Sequence, residues 1–342
     1  MRTWQWEVQL MEKDKEQVLI MSPNWLGDAV MAMPAVKEFR RLHPGSHTIV
    51  LAKPPVASLW KMHDSVDEVV ELPSGNGGTF GVARTLRDRG ILRTVILPNS
   101  FRSALIPFLA KIGIRRGTAS NWRSLLITDR VDMTSWEKAN LHQSSEYMKL
   151  LCGKTEGDLF DTGFKPPASS PAFDPGFNRD SLIVGVIPGA ARGDSKRWPY
   201  FAEAAKLVAN GNSRCRFIVA GSAGEKDLCN SVASEIGDKA VNLAGKTNLA
   251  EFAALLARCH VVLCNDSGGM HLASAAGVPV VAVYGITDPN KTGPIGKGAT
   301  VVQAEGVRVS RDVPRSSPEA AAALQSVPSE KVAAIVLQKL LG

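Results

Sequence analysis

The sequence predicts an α/β protein made of two doubly wound, parallel-sheet halves facing each other across a cleft. Three observations predict it. Short β-branched apolar runs alternate with helix-period segments, the pattern of strand–helix–strand units. The alternation stops at residues 164–180, which are rich in Pro, Ser and Gly, and then restarts. A chain of 342 residues, 44% hydrophobic and 21% charged, has the length of two domains and ample apolar material for two cores. The expected division is an extension over 1–16, a first domain over 17–165, a linker over 166–180, a second domain over 181–328 and a closing helix over 329–342.

In chain order, the first expected strand runs from Gln17 to Met21. A polar turn, Asn24-Trp25-Leu26-Gly27-Asp28, leads into a helix that Pro34 should kink or restart. Strands are expected at His47 to Ala52, Val66 to Glu71 and Thr94 to Leu97, with helices at Phe80 to Asp88 and Ser103 to Lys111. The second half reads strand (from Leu182), helix (from Tyr200), strand (from Arg216), helix (from Lys226), strand (from Val241), helix (from Leu249). It continues with a buried strand at Val261 to Cys264, a polar turn, a short helix and a strand at Val280 to Val283. Gly277 fits that helix's C-terminus, and Pro279 stands where a helix cannot continue. Pro314, Pro318 and Pro328 break the region from Ala304 onward, whose structure stays open; Glu330 to Leu341 reads as an amphipathic helix.

Chemistry is expected at the strand-to-helix turns, because ligands of open α/β sheets bind at the carboxyl ends of the strands. Asn265-Asp266-Ser267-Gly268-Gly269-Met270-His271 is the most informative of them. Free N–H groups and the helix dipole favour an anion there, and Gly268 and Gly269 would admit a phosphate close to the backbone. An ordinary turn with Asp266 or Ser267 as N-cap explains the same residues. Three further turns are Asn24 to Asp28, Pro188 to Pro199 (with Gly189, Lys196, Arg197 and Trp198) and Gly221 to Glu225. The chain has no GxGxxG, no GxxxxGK[ST] and no HExxH, which argues against a dinucleotide dehydrogenase, a P-loop NTPase and a zincin.

Bulk properties narrow the setting. No apolar run reaches the length of a transmembrane helix, and the N-terminus lacks a signal-peptide core, so a cytoplasmic protein is expected. Five cysteines without metal-type spacing read as reduced, buried, small hydrophobes. The net charge of +7 is uneven: between Arg84 and Arg130 ten Lys or Arg face only Asp88 and Asp129. That segment calls for an anionic partner or is a solvated face; no recognised nucleic-acid motif accompanies it.

Taken together, Pro23-Asn24-Trp25-Leu26-Gly27-Asp28, Leu97-Pro98-Asn99-Ser100-Phe101-Arg102-Ser103, Pro188-Gly189-Ala190 with Lys196-Arg197-Trp198-Pro199, and Asn265-Asp266-Ser267-Gly268 with His271 resemble the lipopolysaccharide heptosyltransferases. Tyr284-Gly285 and Asp288-Pro289 complete the set, which spans about Val18 to Pro294. The resemblance implies a GT-B fold, two Rossmann-like domains, and inverting transfer of L-glycero-D-manno-heptose from ADP-heptose. The implied acceptor is heptosyl-Kdo-lipid A, met by peripheral contact with the inner membrane; no nucleic-acid partner, cofactor or metal is implied. Transfer of the first or third heptose, a nucleotide-sugar epimerase or hydrolase, and a non-catalytic nucleotide-sugar binder remain alternatives.

Roles follow for individual residues. Inversion needs a base on the acceptor hydroxyl, and Asp28 is placed for it if it is not a capping aspartate. The departing diphosphate needs cations and N–H donors; Lys196 and the turn at Ser267, Gly268 and Gly269 supply them, unless Lys196 is a surface lysine. Gly189 and Gly221 belong to the donor turns. Asp266 is assigned to hydroxyls of the donor sugar or to an N-cap, and Glu225 to the ribose or to a solvated helix start. His271 touches ligand, packs or caps. Asn99, Ser100, Arg102, Arg115, Arg116 and Arg123 are the acceptor candidates. Trp25 and Trp198 are expected to pack.

Overall fold

The computed structural model describes residues 16–73, 76–119, 121–134, 141–168, 176–191, 193–310, 314 and 317–341. The expected extension, apart from Glu16, and residues 169–175 of the expected linker lie outside them. The chain separates into two compact units, residues 1–163 and 164–342. The division falls just ahead of the Pro-rich stretch.

The first unit has six strands and five α-helices among its described residues. In order they are β1 (Gln17–Met21), α1 (Leu26–Leu42), β2 (His47–Ala52), α2 (Pro54–Trp60), β3 (Glu68–Glu71), α3 (Asn76–Asp88), β4 (Arg93–Ile96), α4 (Phe101–Leu109), β5 (Ile114–Gly117), β6 (Asp129–Arg130) and α5 (Gln143–Cys152). The strands are parallel and ordered β3-β2-β1-β4-β5-β6. Leu19 and Met21 of β1, with Ile49 and Leu51 of β2, meet Val82 and Leu86 of α3 and Ala104 and Ile106 of α4 in one core. Helix α1 packs against α5.

The second unit repeats the plan. It comprises β7 (Leu182–Ile187), α6 (Phe201–Gly211), β8 (Cys215–Val219), α7 (Lys226–Ile236), β9 (Ala240–Asn242), α8 (Leu249–Ala257), β10 (Val261–Asn265), α9 (Gly268–Ala275), β11 (Val280–Tyr284), α10 (Pro289–Thr292), β12 (Thr300–Gln303), α11 (Pro318–Gln325) and α12 (Ser329–Leu341). Its parallel order is β12-β11-β10-β7-β8-β9. Strands β10 and β11 are buried along their whole length, as a central parallel pair covered on both faces must be. Helix α12 packs on α6, β10 and β11. Gly277 takes the left-handed conformation (φ +80°) just past α9.

Three readings change. Pro34 lies inside one continuous α1, without a restart: nine buried residues anchor that helix, enough to absorb one missing backbone hydrogen bond. Strand β5 and the edge strands β6 and β12 were not expected. The open region after Ala304 contains α11.

Each sheet changes direction between its first and fourth strand, at β1/β4 and at β7/β10. The turns leaving these four strands are 22–28, 97–103, 188–198 and 265–271. The turns at 24–28, 188–198 and 265–271 and the 97–103 stretch of the resemblance therefore lie at the switch points, where an α/β sheet opens a crevice, while Gly221–Glu225 follows β8 beside one of them.

Candidate active site

In the second unit, Asn265 is the hub. It closes β10 with its side chain fully buried. Its Nδ2 donates to the carbonyl of Pro188 at 2.7 Å. Its Oδ1 accepts from the backbone N–H of Trp198 at 2.9 Å. One amide thus holds both ends of the 188–198 loop against the end of β10. Trp198 packs, as expected: its indole donates to the Val327 carbonyl at 3.0 Å and meets Phe201 edge-on.

Within that loop, Lys196 closes a short 3-10 turn over Gly193–Lys196. Its ammonium pairs with the carboxylate of Asp266, and both side chains are mostly buried. Ser267, not Asp266, is the N-cap of α9, its hydroxyl accepting from Met270 N–H. The capping explanation is therefore met by Ser267, and Asp266 is left with Lys196. Burial, then the neighbouring Asp266 carboxylate, pushes the Tyr284 phenol well above its ordinary pKa; its hydroxyl donates to the Thr292 carbonyl at 3.0 Å. His271 is buried on α9.

Two glycines differ in what they make room for. A Cβ on Gly189 would collide with the Glu225 carboxylate, so this glycine lets Glu225 lie over the end of β7. Gly221 adjoins the same carboxylate. Glu225 Oε2 accepts from Ser222 N–H and Ser222 Oγ at 2.8 and 2.7 Å, a capping box that fixes the side chain and turns Oε1 toward Gly189. At Gly269 a Cβ would stand 2.9 Å from Ile187 Cδ1, so the absence of a side chain also makes room for packing.

In the first unit, Asp28 lies in the first turn of α1, and Trp25 is the N-cap. Trp25 does not pack; it is 62% exposed beside Asp28. Next to this turn a cavity of about 270 Å³ opens at the ends of β1, β2 and β4, with Asn24, Lys53, Ser100 and Arg102 among its polar lining. Ser100 is the N-cap of α4, and Arg102 Nε donates to Thr79 Oγ1 at 3.1 Å.

Arg123 is the unusual residue of this unit. It is buried, at 2% exposure. Its Nη1 donates to Asn99 Oδ1 at 3.0 Å and Thr118 Oγ1 at 2.9 Å. Its Nε and Nη2 have no hydrogen-bond partner among the described residues. Burial lowers its pKa to about 10, with no carboxylate countering it, and it remains a cation at neutral pH. Arg115 and Arg116 do not join this group. Arg116 turns inward to Asp129 at 2.8 Å and the Leu150 carbonyl at 2.7 Å, tying β5 to β6 and α5. Arg115 donates to the Leu126 carbonyl at 2.7 Å and lies over the Phe108 ring.

The comparisons with known proteins bear on this arrangement. The family model described as glycosyltransferase family 9 (heptosyltransferase) matches residues 80–321. The chain belongs to this family. It is 31% identical to lipooligosaccharide heptosyltransferase 2 of Haemophilus influenzae, over 84% of this chain and 88% of that protein. It is also 31% identical to lipopolysaccharide heptosyltransferase 2 of Escherichia coli K12, with the same coverage. The structure of E. coli ADP-heptose lipopolysaccharide heptosyltransferase II superposes with a TM-score of 0.77 at 25% identity, covering 95% of this chain and 98% of that one. The fold is GT-B, and the protein is a glycosyltransferase; the epimerase, hydrolase and non-catalytic readings fall away.

Two features of the candidate site were missed in sequence. Lys53 follows β2, where a strand-end search reaches it, but Pro54-Pro55 gave no glycine signal. Asn265 was seen as part of a motif, yet nothing in the sequence showed that one amide would span two loops. Among the described residues no group of three or more His, Cys, Asp or Glu is placed to hold a metal. No helix among them is long and apolar enough to cross a membrane. The five cysteines are free thiols.

Proposed function

We propose that this protein transfers heptose from ADP-heptose, with inversion, to a heptose-bearing Kdo-lipid A inner core. The observation that supports this most is the set of four functional turns at two switch points, one set carrying a buried Lys–Asp pair beside a helix N-terminus and the other a carboxylate beside a cationic pocket. Its family and the names of its relatives fit the same chemistry.

In this reading the second unit binds the donor. Glu225, lying over Gly189, receives the ribose hydroxyls. Lys196 and the N–H groups opening α9 face the diphosphate. Asp266 holds Lys196 before the donor arrives and then serves the sugar hydroxyls. The first unit binds the acceptor. Asp28 takes the proton of the attacking hydroxyl as that oxygen bonds to the anomeric carbon. The bond to the diphosphate oxygen breaks, and ADP leaves with the electron pair. Arg123, Lys53 and Arg102 receive carboxylate or phosphate groups of the inner core. Lys196 and the helix N–H groups meet the leaving charge without a divalent metal.

The test is mass spectrometry of purified inner-core acceptor after incubation with ADP-heptose, with and without EDTA. The expected result is a mass gain of one heptose on an acceptor that already carries one, equally in EDTA. Free heptose alone, or addition only to an acceptor without heptose, would refute the assignment; a need for magnesium would refute the metal-free step.

A further inference from the structure

Tyr284 ends β11 and is completely buried. Strand β11 lies beside β10 in parallel register, with Val283 opposite Asn265. One residue further on, Tyr284 stands next to Asp266. Its phenol has three acceptors around one proton. They are the Thr292 carbonyl at 3.0 Å, Met270 Sδ at 3.4 Å and the Asp266 carboxylate, which is a hydrogen-bonding neighbour as well as a charge. Burial and that anion keep the phenol protonated, so it is a donor at neutral pH.

The Asp266 side chain is 10% exposed and is compensated by the Lys196 ammonium. A diphosphate at the start of α9 draws that ammonium to itself, most strongly once the bond to the sugar has broken and the terminal phosphate has gained charge. A buried carboxylate left behind beside a diphosphate is costly. An ionised carboxylate accepts several hydrogen bonds, so a phenol O–H turned to it offsets that cost and leaves lone pairs for sugar hydroxyls. Thr292 is half-buried, and its carbonyl can take water in exchange.

We propose that Tyr284 is a positioning residue of the transfer: its hydroxyl turns from the Thr292 carbonyl to Asp266 as Lys196 moves onto the leaving diphosphate. This role rests on the donor reading of the second unit and adds to it the group that takes the place of Lys196. A tyrosine that merely tied α10 to β11 through Thr292 would matter equally whatever residue stood at 266.

The experiment is a double-mutant cycle on the full chain, read by calorimetric titration with ADP, which carries the charge that the leaving group gains. Tyr284→Phe keeps the ring and its packing. In the wild-type background it should weaken ADP binding by about tenfold, as loss of a hydrogen bond to a charged group does. In the Asp266→Asn background, where no charge is left behind, it should change ADP affinity by less than about twofold. Equal loss in both backgrounds, or no loss in the wild-type background, overturns the proposal. The chain has three tyrosines, so ζ-carbon-13 tyrosine, assigned with Tyr147→Phe and Tyr200→Phe, gives a reading with residue 284 intact. ADP should shift the Tyr284 signal in the wild type and much less in Asp266→Asn; a signal that stays put in the wild type, or moves as far in Asp266→Asn, overturns the role. Heptose transfer is followed on the same proteins. Transfer by the wild type without coupling in the cycle removes the role of Tyr284 and leaves the function, whereas coupling without heptose transfer leaves the role and removes the sugar.

Discussion

Asp28 lies in the first turn of α1, and Trp25 occupies the N-cap position. The helix dipole favours a carboxylate in the first turn, and the base role proposed for Asp28 depends on that carboxylate. Asp28→Asn should therefore keep the fold and ADP affinity while slowing transfer by about two orders of magnitude or more. Turnover near wild type in the purified variant would end the base assignment. Arg123 makes the opposite kind of prediction. A buried cation without a carboxylate is a cost to folding, and in the proposed reading Arg123 meets that cost by binding an acceptor anion. Arg123→Met should raise the acceptor KM by at least about tenfold, roughly 1.4 kcal/mol. It should leave the donor KM unchanged and the thermal midpoint no lower than wild type. A destabilised variant with normal acceptor KM would make Arg123 structural. The sequence marked Asn99, Arg115, Arg116 and Arg123 together. It could not rank them, because Asn99 and Arg123 meet across 24 positions and charge alone does not show which arginine turns inward.

Elements were legible where apolar runs were long. Strands β7, β10 and β11 carry nearly continuous β-branched residues and were read within a residue or two. Strand β5, Ile-Arg-Arg-Gly, has two cations in four residues, and β6 has only two residues, so neither shows a period. What joins the elements into a site was less legible still. Asn265 ties the end of β10 to both ends of the loop that follows β7, and Lys196 reaches Asp266 only while that loop is held. Asn265→Leu removes both bonds at similar volume. The Pro188 carbonyl and the Trp198 N–H are then orphaned, at about 1–3 kcal/mol each. Thermal unfolding should shift down accordingly, and the donor KM should rise while the acceptor KM holds. A variant with wild-type donor KM would show that the loop is positioned without the amide.

The two units share one strand order, so topology alone would let either bind a nucleotide. Side chains at equivalent places separate them. A nucleotide-binding half places a carboxylate after its second strand, for the ribose. In the second unit the second strand is β8, and Glu225 follows it, its carboxylate lying over Gly189. In the first unit the second strand is β2, and the residue after it is Lys53, lining a cavity with Arg102. One crevice is suited to hydroxyls beside a helix-bound diphosphate, the other to an anion. ADP added to the whole protein should therefore slow amide exchange at 188–198, 221–225 and 266–271, and leave 22–28 and 97–103 unchanged. Glu225→Lys should weaken ADP binding by about tenfold or more, since it loses the ribose bonds and disturbs the turn at Ser222. Lys53→Glu should leave ADP binding intact and raise the KM for an anionic acceptor, an effect that shrinks as salt screens the repulsion. Protection of the first unit by ADP, or loss of ADP affinity in Lys53→Glu, would reverse the assignment of the two crevices.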